Sequence, residues 1–436
     1  MKTAMTLFWL RRDLRLEDNA GLFHALNENK NVLPLFIFDP AILKPLPTAD
    51  ARVVFIHQTL VQIKKQLAQM KSDLLIEHGS PVEIFKSLQE KYKIDAVYTN
   101  HDYEPSATER DEKVKKFLDQ QKIPFKTFKD QCIFEKKEVL SQAETTYTVF
   151  TPYKKKWLSQ VTAKHLESYS CMKLSNHFLA VTEKQKLISL EQLGFKDLKF
   201  DFPEIPTTET LQKILKPYAE KRNFPALDAT SRLGLHLRFG TVSVRALARE
   251  AQKYSEVWLS ELIWREFFMQ ILWHFPRVTE QSFRPQYDQI SWRKDKADFK
   301  KWCDGNTGYP MVDAGMRELN QTGFMHNRVR MVTASFLTKH LLIYWLEGER
   351  YFAEKLLDYD LSANNGNWQW AAGTGCDAAP YFRIFNPESQ MEKFDADLEY
   401  VKKWVPEYGT KDYVKPMVEH VFARDRALTE FKKGLK

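Results

Sequence analysis

Residues 358–387 read DYDLSANNGNWQWAAGTGCDAAPYFRIFNP and carry more chemistry than any other stretch of the chain. Two acids stand two positions apart, at Asp358 and Asp360, an asparagine pair begins at Asn364, and two tryptophans bracket Gln369. A segment of plain core would not need so many polar groups beside so many rings. The stretch therefore predicts a pocket that holds a flat, polar, redox-active ring against aromatic side chains.

A second group of polar and aromatic residues lies upstream in VWLSELIWREFF. Trp258, Glu261, Trp264 and Arg265 stand at i, i+3, i+6 and i+7, which places them along one stripe of a helix. Two rings with an acid and a base are a poor apolar core and a good lining for a polar aromatic ligand. The alternative is a packed tryptophan stripe with an internal Glu–Arg pair.

The third group is MHNRVRM, in which Asn327, Arg330 and Met331 share a helical face while Arg328 points elsewhere, where it can reach a phosphate. Arg330 can pair with Asp358. The soft thioether of Met331 can pack against a thymine-like ring, although a lone methionine is more often plain core.

Together these motifs closely resemble the DNA photolyase/cryptochrome family, and within it the class I cyclobutane pyrimidine dimer photolyases. The resemblance extends from FWLRRDLRLEDN near the start, through TPYKKKW at 151–157, to the motifs between Tyr218 and Phe394. It implies a light-driven lyase in which reduced FAD donates an electron to a cyclobutane pyrimidine dimer and splits it. The dimer would be flipped out of the duplex, as photolyases are known to do.

The resemblance also implies a flavin site. Asn364 would be the partner of flavin N5, where plant-type cryptochromes carry Asp, and Asp360 would receive the N3 edge. An ion pair between Arg330 and Asp358 would flank the ring, and Tyr218 with residues 230–234 would hold the diphosphate. The implied FAD-binding residues are Tyr218, Thr230, Ser231, Arg232, Leu233, Gly234, Trp258, Arg265, Asn327, Arg330, Asp358, Asp360 and Asn364.

Further roles follow from the same resemblance. Glu261 would hydrogen-bond the damaged bases, and Trp264 and Trp370 would stack on them from opposite sides. Six-four photolyases carry a His pair where Asn327 and Met331 stand, so these two residues favour cyclobutane dimer repair. The implied DNA-binding residues are Glu261, Trp264, Arg328, Trp370, Arg383 and Gln390. The implied catalytic residues are Glu261, Met331, Asn364 and the electron-transfer tryptophans Trp292, Trp345 and Trp368.

Hydrophobic periodicity predicts an α/β half followed by an all-α half. Strand patterns at Thr6–Leu10, Val32–Phe38, Leu74–Glu77, Ala96–Thr99 and Phe125–Phe128 alternate with helical ones. We therefore expect a Rossmann-like parallel α/β antenna domain over 1–135, an interdomain connection over 136–206, and an all-helical FAD- and DNA-binding domain over 207–436. Later helices are predicted at 209–222, 242–252, 256–273, 298–303, 312–320, 327–342 and 349–357.

Charge and composition indicate the kind of partner and the cellular location. The net charge of +8 favours polyanionic partners, here DNA containing pyrimidine dimers. The four scattered cysteines form no metal motif or disulfide framework, which suits the cytoplasm, and no run approaches a membrane span. We expect a monomer without a metal site.

The antenna and the signalling role stay open at this level. Ser106 and Ala107 replace an Asn-Glu pair that folate-binding relatives use, so folate, deazaflavin, flavin and no second chromophore are all open. The alternative function is a cryptochrome-type blue-light photoreceptor that signals through protein partners. Such sensors often carry a C-terminal extension, whereas only about 40 residues follow the FNPESQMEKFD motif here.

Overall fold

Five parallel strands form the sheet of the N-terminal half in the computed structural model, which describes residues 4–435. The strands are β1 Ala4–Leu10, β2 Val32–Phe38, β3 Leu75–His78, β4 Lys93–Asn100 and β5 Phe125–Phe128. Their order is β3-β2-β1-β4-β5, with all neighbours parallel. Because both faces of a parallel sheet are covered, β1 and β2 are almost uninterrupted apolar runs. All five predicted strands are confirmed.

The helices between and after the strands also follow the sequence pattern. Those of the N-terminal half are α1 Ala20–Glu28, α2 Pro40–Leu43, α3 Ala51–Gln69, α4 Pro81–Lys91 and α5 Pro105–Gln120. They are followed by α6 Phe150–Gln160, α7 Thr208–Leu215, α8 Tyr218–Lys221, α9 Gly234–Phe239 and α10 Val244–Tyr254. The predicted single helix over 209–222 is wrong, because Pro217 lacks the backbone N–H that would continue it and separates α7 from α8.

The remaining helices belong to the C-terminal half. They are α11 Glu256–His274, α12 Lys296–Cys303, α13 Pro310–Thr322, α14 Asn327–Ser335, α15 Trp345–Lys355, α16 Leu361–Ala372, α17 Pro387–Phe394, α18 Glu399–Trp404 and α19 His420–Gly434. The predicted helix 327–342 ends as a regular α-helix at Ser335 and continues as a π-helical turn over Phe336–His340. The predicted helix 349–357 begins four residues earlier, at Trp345.

Two compact units make up the chain, and neither is continuous in sequence. The first contains residues up to 135 together with 160–205 and 232–253, and the second contains 136–159, 206–231 and everything from 254 onward. The core of the second unit is built from α12 to α18 and includes the buried Trp302, Trp345 and Trp368. Among residues 4–435, no helix combines the length and the apolar character needed to cross a membrane.

The start of α6 shows how part of the expected interdomain connection packs. Trp157 Nε1 donates to Glu266 Oε1 at 2.6 Å, and the Tyr153 hydroxyl donates to the same oxygen at 3.3 Å. Glu266 lies on α11 and is buried, so these two donors satisfy a carboxylate that would otherwise be costly to bury. Residues 150–159 are thus attached to the helix that carries the Trp258–Arg265 stripe.

Candidate functional site

A cavity of about 100 Å³ lies between α14, α15 and α16 in the second unit. Its wall contains eight of the residues singled out from the sequence: Asn327, Arg330, Met331, Asp358, Asp360, Asn364, Trp368 and Trp370. The residues come from two helical segments that are about thirty positions apart, MHNRVRM and DYDLSANNGNWQW. The fold therefore brings the first and third sequence motifs to one place.

Arg330 and Asp358 form the ion pair that the sequence suggested. Arg330 donates through NH2 to both carboxylate oxygens of Asp358, at 2.9 and 3.2 Å, and its Nε donates to the backbone oxygen of Met325 at 2.7 Å. The side chains remain 26% and 19% exposed, so the pair lies at the wall of the cavity and not deep in the core. A guanidinium fixed by two partners provides a positive charge at a defined position.

Asn364 has a partner that was not anticipated. Its Nδ2 donates to the backbone oxygen of Glu349 at 3.0 Å and to Glu349 Oε1 at 2.9 Å. No residue among 4–435 donates to its Oδ1, which leaves a carboxamide acceptor on a residue that lines the cavity. Burial raises the pKa of Glu349, and the hydrogen bond from Asn364 opposes that shift. Nothing in the sequence distinguishes Glu349 from the neighbouring Glu347, so only the packing of α15 against α16 identifies it.

Asp360 is the N-cap of α16. It accepts from the backbone N–H groups of Ser362 and Ala363, at 3.2 and 3.3 Å, and from the Ser362 hydroxyl. Capping the helix satisfies donors that have no partner inside it. The carboxylate therefore has a structural role in addition to the ligand-binding one that the resemblance implies.

On α11, Glu261 of the stripe forms an ion pair that the sequence did not suggest. Glu261 pairs with Arg222, which follows Tyr218 by one helical turn and lies with its guanidinium 5.5 Å from the Tyr218 ring centroid. The i, i+4 spacing of Tyr218 and Arg222 was the signal that could have identified this arginine. Burial raises the pKa of Glu261 more than Arg222 lowers it, and burial together with Glu261 raises the pKa of Tyr218 to about 12.

Trp264 is half-buried and already has stacking partners within the protein. Phe150 lies parallel to it at 3.6 Å between ring centroids, and Phe268 lies at 5.4 Å with a 27° angle between the rings. Trp258 is buried at 4% exposure, whereas Arg265 is half-buried. The stripe therefore has two parts. Trp258 and Trp264 pack against the protein, whereas Glu261 and Arg265 remain partly accessible.

The other predicted residues lie outside the wall of this cavity. Arg328 donates to Asn223 Oδ1 at 2.7 Å and lies over the Phe394 ring at 4.3 Å. Arg383 is exposed, and Gln390 is half-buried on α17. Thr230 and Ser231 belong to the second compact unit and Arg232–Gly234 to the first, with Gly234 beginning α9.

The three predicted electron-transfer tryptophans differ in burial. Trp368 lines the cavity with 2% of its surface exposed, Trp345 is completely buried, and Trp292 is half-buried. The Tyr344 ring contacts both Trp345 and Trp292, with centroids 5.6 and 5.7 Å apart. Trp368 therefore lies at the cavity wall, and Trp292 is the most exposed of the three.

Comparison with known proteins places these features in a family. The family description "DNA photolyase" matches residues 6–170, and "FAD binding domain of DNA photolyase" matches residues 258–410. The deoxyribodipyrimidine photo-lyase of Synechococcus sp. is 38% identical, with 96% of this chain and 94% of the relative covered. The two matched regions contain the sequence motifs except those at Tyr218 and residues 230–234.

Two solved structures have the same fold over nearly the whole chain. A bacterial class III photolyase from Agrobacterium tumefaciens superimposes with a TM-score of 0.88 at 34% identity, covering all of this chain and 98% of that one. An archaeal photolyase from Sulfolobus tokodaii, solved with two FAD molecules, gives a TM-score of 0.84 at 34% identity and covers 98% and 99% of the two chains.

Proposed function

The chain belongs to the DNA photolyase family, and on that premise we propose that it is a light-driven deoxyribodipyrimidine photo-lyase that uses FAD to split cyclobutane pyrimidine dimers in DNA. Sequence identity to photo-lyases over nearly the full length of both chains supports this activity. Those relatives do not favour the photoreceptor alternative. The narrower assignment to class I stays a prediction.

The hydrogen-bond donors and acceptors in the wall of the cavity beside α16 are complementary to those of a flavin ring. The Arg330–Asp358 pair supplies one fixed positive and one fixed negative group, and the free Asn364 oxygen supplies a neutral acceptor. A flavin has a planar ring system with polar edges, and these groups match an N–H at its middle and polar atoms at its rim. When bound in its reduced form, FAD supplies an electron on excitation by blue light.

The side chains around the cavity have separate tasks in this proposal. Asn364, held by Glu349, accepts from N5–H of the ring without adding a charge, and the cation of Arg330 offsets negative charge on the ring. The buried Trp368 excludes water from the inner wall. Tyr218, Thr230 and Ser231 bind the diphosphate through hydroxyl and backbone N–H groups.

The damaged bases are held by residues of three helices. Trp264 contacts them with the part of its ring that Phe150 and Phe268 leave exposed, and Trp370 stacks on them from the other side. Glu261 accepts hydrogen bonds from their N–H groups, and Met331 packs against a methyl-bearing ring. Asn327 lies one turn from Met331, with its Nδ2 4.0 Å from the sulfur. Arg328, Arg383 and Gln390 contact the DNA backbone. The Arg222–Glu261 ion pair keeps the Glu261 carboxylate oriented until a base replaces part of that contact.

Three further points belong to the proposal. A second chromophore is supported by the Sulfolobus tokodaii photolyase with its two FAD molecules, but its identity here is open. All four cysteines are buried and unpaired, which supports a cytoplasmic location. We propose a monomer, as well as the domain boundaries at 135 and 206; sedimentation of the purified protein tests the former.

Repair of an ultraviolet-damaged oligothymidine, under light and in the dark, tests the activity. We expect dimers to disappear only in light and only with FAD bound. Trp264→Ala should weaken binding to the damaged oligonucleotide by about 1–3 kcal/mol, the value of one aromatic stacking platform, and leave FAD bound. Trp273→Ala, on the same helix, is the matched control. Equal light and dark rates would exclude the photolyase function.

A further inference from the structure

Phe150, the first residue of α6, covers one face of Trp264. The centroids of the two rings are 3.6 Å apart and the rings are 7° from parallel, so they overlap with almost no lateral offset. Aromatic rings prefer offset or edge-to-face contacts to a full sandwich of this kind. The surrounding protein therefore imposes the stack, and no base can reach the covered face of Trp264 while it persists.

Neighbouring rings hold this stack in place. Phe150 is 8% exposed, and the completely buried Phe267 presents its edge to both stacked rings. Its centroid is 5.8 Å from that of Phe150 and 5.6 Å from that of Trp264, with interplanar angles of 77° and 83°. Phe268 lies 5.4 Å from Trp264 at 27°. The indole of Trp264 cannot rotate without displacing buried rings, so its orientation is fixed before any DNA binds.

The backbone of Phe150 is tied to the segment that follows Trp370. The N–H of Phe150 donates to Asp377 Oδ2 at 3.0 Å. The first N–H groups of a helix have no partner inside it, and the helix dipole favours a carboxylate there. Asp377 lies between Trp370 and Arg383 in the sequence. Because hydrogen bonds to Glu266 also hold α6 on α11, the position of Phe150 is set from both segments that we propose to contact the damaged bases.

From this geometry we infer that Phe150 is a positioning residue for damage recognition. It fixes the plane of the Trp264 ring and leaves only the uncovered part of that ring to the bases. The inference rests on the proposed function, in which Trp264 contacts a flipped dimer. A side chain already held in its binding orientation loses no rotamer freedom on association, which corresponds to about 2- to 10-fold in affinity. Intact DNA keeps its bases stacked in the duplex, so only damaged DNA gains this affinity.

Phe150→Leu tests the inference, because leucine fills much of the space but has no flat face. The Kd for dimer-containing DNA, measured by fluorescence anisotropy, should rise by about 2- to 10-fold. The Kd for intact DNA and the affinity for FAD should stay at the parent values. In repair under constant light, KM should rise while kcat does not change. Phe299→Leu is the matched control, since Phe299 stacks on Trp302 in the same unit at 5.8 Å and 21°, and both of its Kd values should equal the parent's.

Two further comparisons separate positioning from a general loss of stability. If Phe150 acts through Trp264, Phe150→Leu/Trp264→Ala should bind dimer-containing DNA no more weakly than Trp264→Ala alone. Asp377→Ala and Asp377→Asn both remove a negative charge, but only alanine removes the acceptor for the Phe150 N–H. The Kd for dimer-containing DNA should therefore be higher in Asp377→Ala than in Asp377→Asn. This pair leaves the rings unchanged and provides the test if Phe150→Leu does not fold.

The possible failures are distinguishable. A parent-like Kd for dimer-containing DNA in Phe150→Leu, or an equal rise for damaged and intact DNA, overturns the role of Phe150 and leaves the photolyase function intact. Additive losses in the double variant also overturn it, and equal Kd values in the two Asp377 variants overturn the tether. If Trp264→Ala binds dimer-containing DNA as tightly as the parent, the contact of Trp264 with the bases is wrong, and the role of Phe150 with it. A parent protein that repairs no dimers in light refutes the proposed function itself.

Discussion

At the scale of single residues, the orientation of Asn364 depends on Glu349. The two acceptors on Glu349 occupy both N–H bonds of the Asn364 amide, at 2.9 and 3.0 Å. The amide therefore offers only its oxygen to a ligand in the cavity. Glu349 is 4% exposed, and among residues 4–435 the only side chain that donates to it is Asn364. The orientation of Asn364 therefore depends on a buried acid.

Asn364→Asp should disturb both the protein and its cofactor. Two carboxyl groups would then lie within hydrogen-bond distance, and one would have to take up a proton. We expect a loss of about 1–3 kcal/mol in the free energy of unfolding of the FAD-free protein, the cost of a buried acceptor without its donor, and much slower dimer repair. Urea unfolding at neutral pH and the repair assay measure the two effects.

The double variant Asn364→Asp/Glu349→Gln separates the two effects. The amide introduced on α15 can donate to the carboxylate introduced on α16, so the side-chain hydrogen bond returns with its direction reversed. Stability should recover in part, because the backbone oxygen of residue 349 still lacks the donor that Asn364 provides. Repair should not recover, because a carboxylate still faces the flavin. Equal instability of the single and double variants would show that the two side chains are not coupled.

His326 should make the protein sensitive to acid. It is the N-cap of α14, where its Nδ1 accepts from the N–H of Arg328 at 3.1 Å. Burial, followed by the charges of Arg330, Arg328 and Arg222, lowers the pKa of His326 from 6.5 to about 4. The folded state therefore resists protonation. Stability from the neutral ring is complete above pH 6.5 and is lost as the pH falls toward 4, by on the order of 3 kcal/mol.

His326→Asn should remove that acid sensitivity, because asparagine caps helices without titrating. Unfolding free energies measured at pH 7 and at pH 4.5 should differ less in the variant than in the parent. Some loss will remain, because burial also lowers the pKa of His340 to about 3. If the free energy of unfolding falls equally in the parent and the variant, the acid sensitivity comes from groups other than His326.

At the scale of elements, α11 and α16 approach each other at a glycine. A Cβ at Gly366 would overlap the ring of Phe268, one turn after Trp264 on α11. The absence of a side chain at 366 lets α11, which carries Trp264, pack against α16, which carries Asn364. Glycine in a helix interior is about 1 kcal/mol less favourable than alanine. The close packing of the two helices offsets this cost.

Gly366→Ala should therefore destabilise the protein by about 1–3 kcal/mol, as overpacking of a core does, despite the better helix propensity of alanine. FAD affinity should fall as well, because α16 lines the cavity. Phe268→Leu/Gly366→Ala, which removes the overlapping ring atoms, should recover part of both losses. Thermal unfolding and FAD titration are the measurements. A Gly366→Ala protein as stable as the parent would place the contact between these helices elsewhere.

At the scale of the whole molecule, the excess of positive charge sets how the protein meets DNA. Its net charge of +8 includes Arg328, Arg383, Lys402 and Lys403 in the helical half. Lysine and arginine that neutralise phosphates release counterions from the duplex, and the free energy of this release decreases as salt increases. Charge therefore contributes affinity for any DNA, and in the proposed function stacking and hydrogen bonds to the damaged bases contribute selectivity for the dimer.

Affinity for dimer-containing DNA should fall linearly with the logarithm of salt concentration. Arg383→Ala should weaken binding to damaged and intact DNA alike and reduce the slope by about one phosphate contact. Lys44→Ala, an exposed lysine of the first unit, should leave the slope unchanged. Fluorescence anisotropy between low and moderate salt measures the affinity of the parent protein and of both variants. If the affinity of the parent protein does not change with salt, counterion release does not contribute to DNA binding.

The five strands, the helical second half and most residues of the cavity beside α16 could be predicted from the sequence. Strands and helices follow from local periodicity, which a chain displays without knowledge of its fold. Arg330, Asp358 and Asn364 were recognisable because polar groups beside clustered aromatic residues have no use in a plain core.

The hydrogen-bond, ion-pair and stacking partners of Asn364, Glu261 and Trp264 could not be predicted from the sequence. Glu349, Arg222 and Phe150 come from segments whose sequence separation from Asn364, Glu261 and Trp264 is 15, 39 and 114 residues, as their numbers show. Hydrogen bonds, ion pairs and ring stacking act over a few ångströms, and a linear pattern does not contain the distances that folding creates between remote segments. The break at Pro217 was readable from sequence chemistry, whereas the π-turn after Ser335 and the position of Tyr344 between two tryptophans depend on how the helices pack.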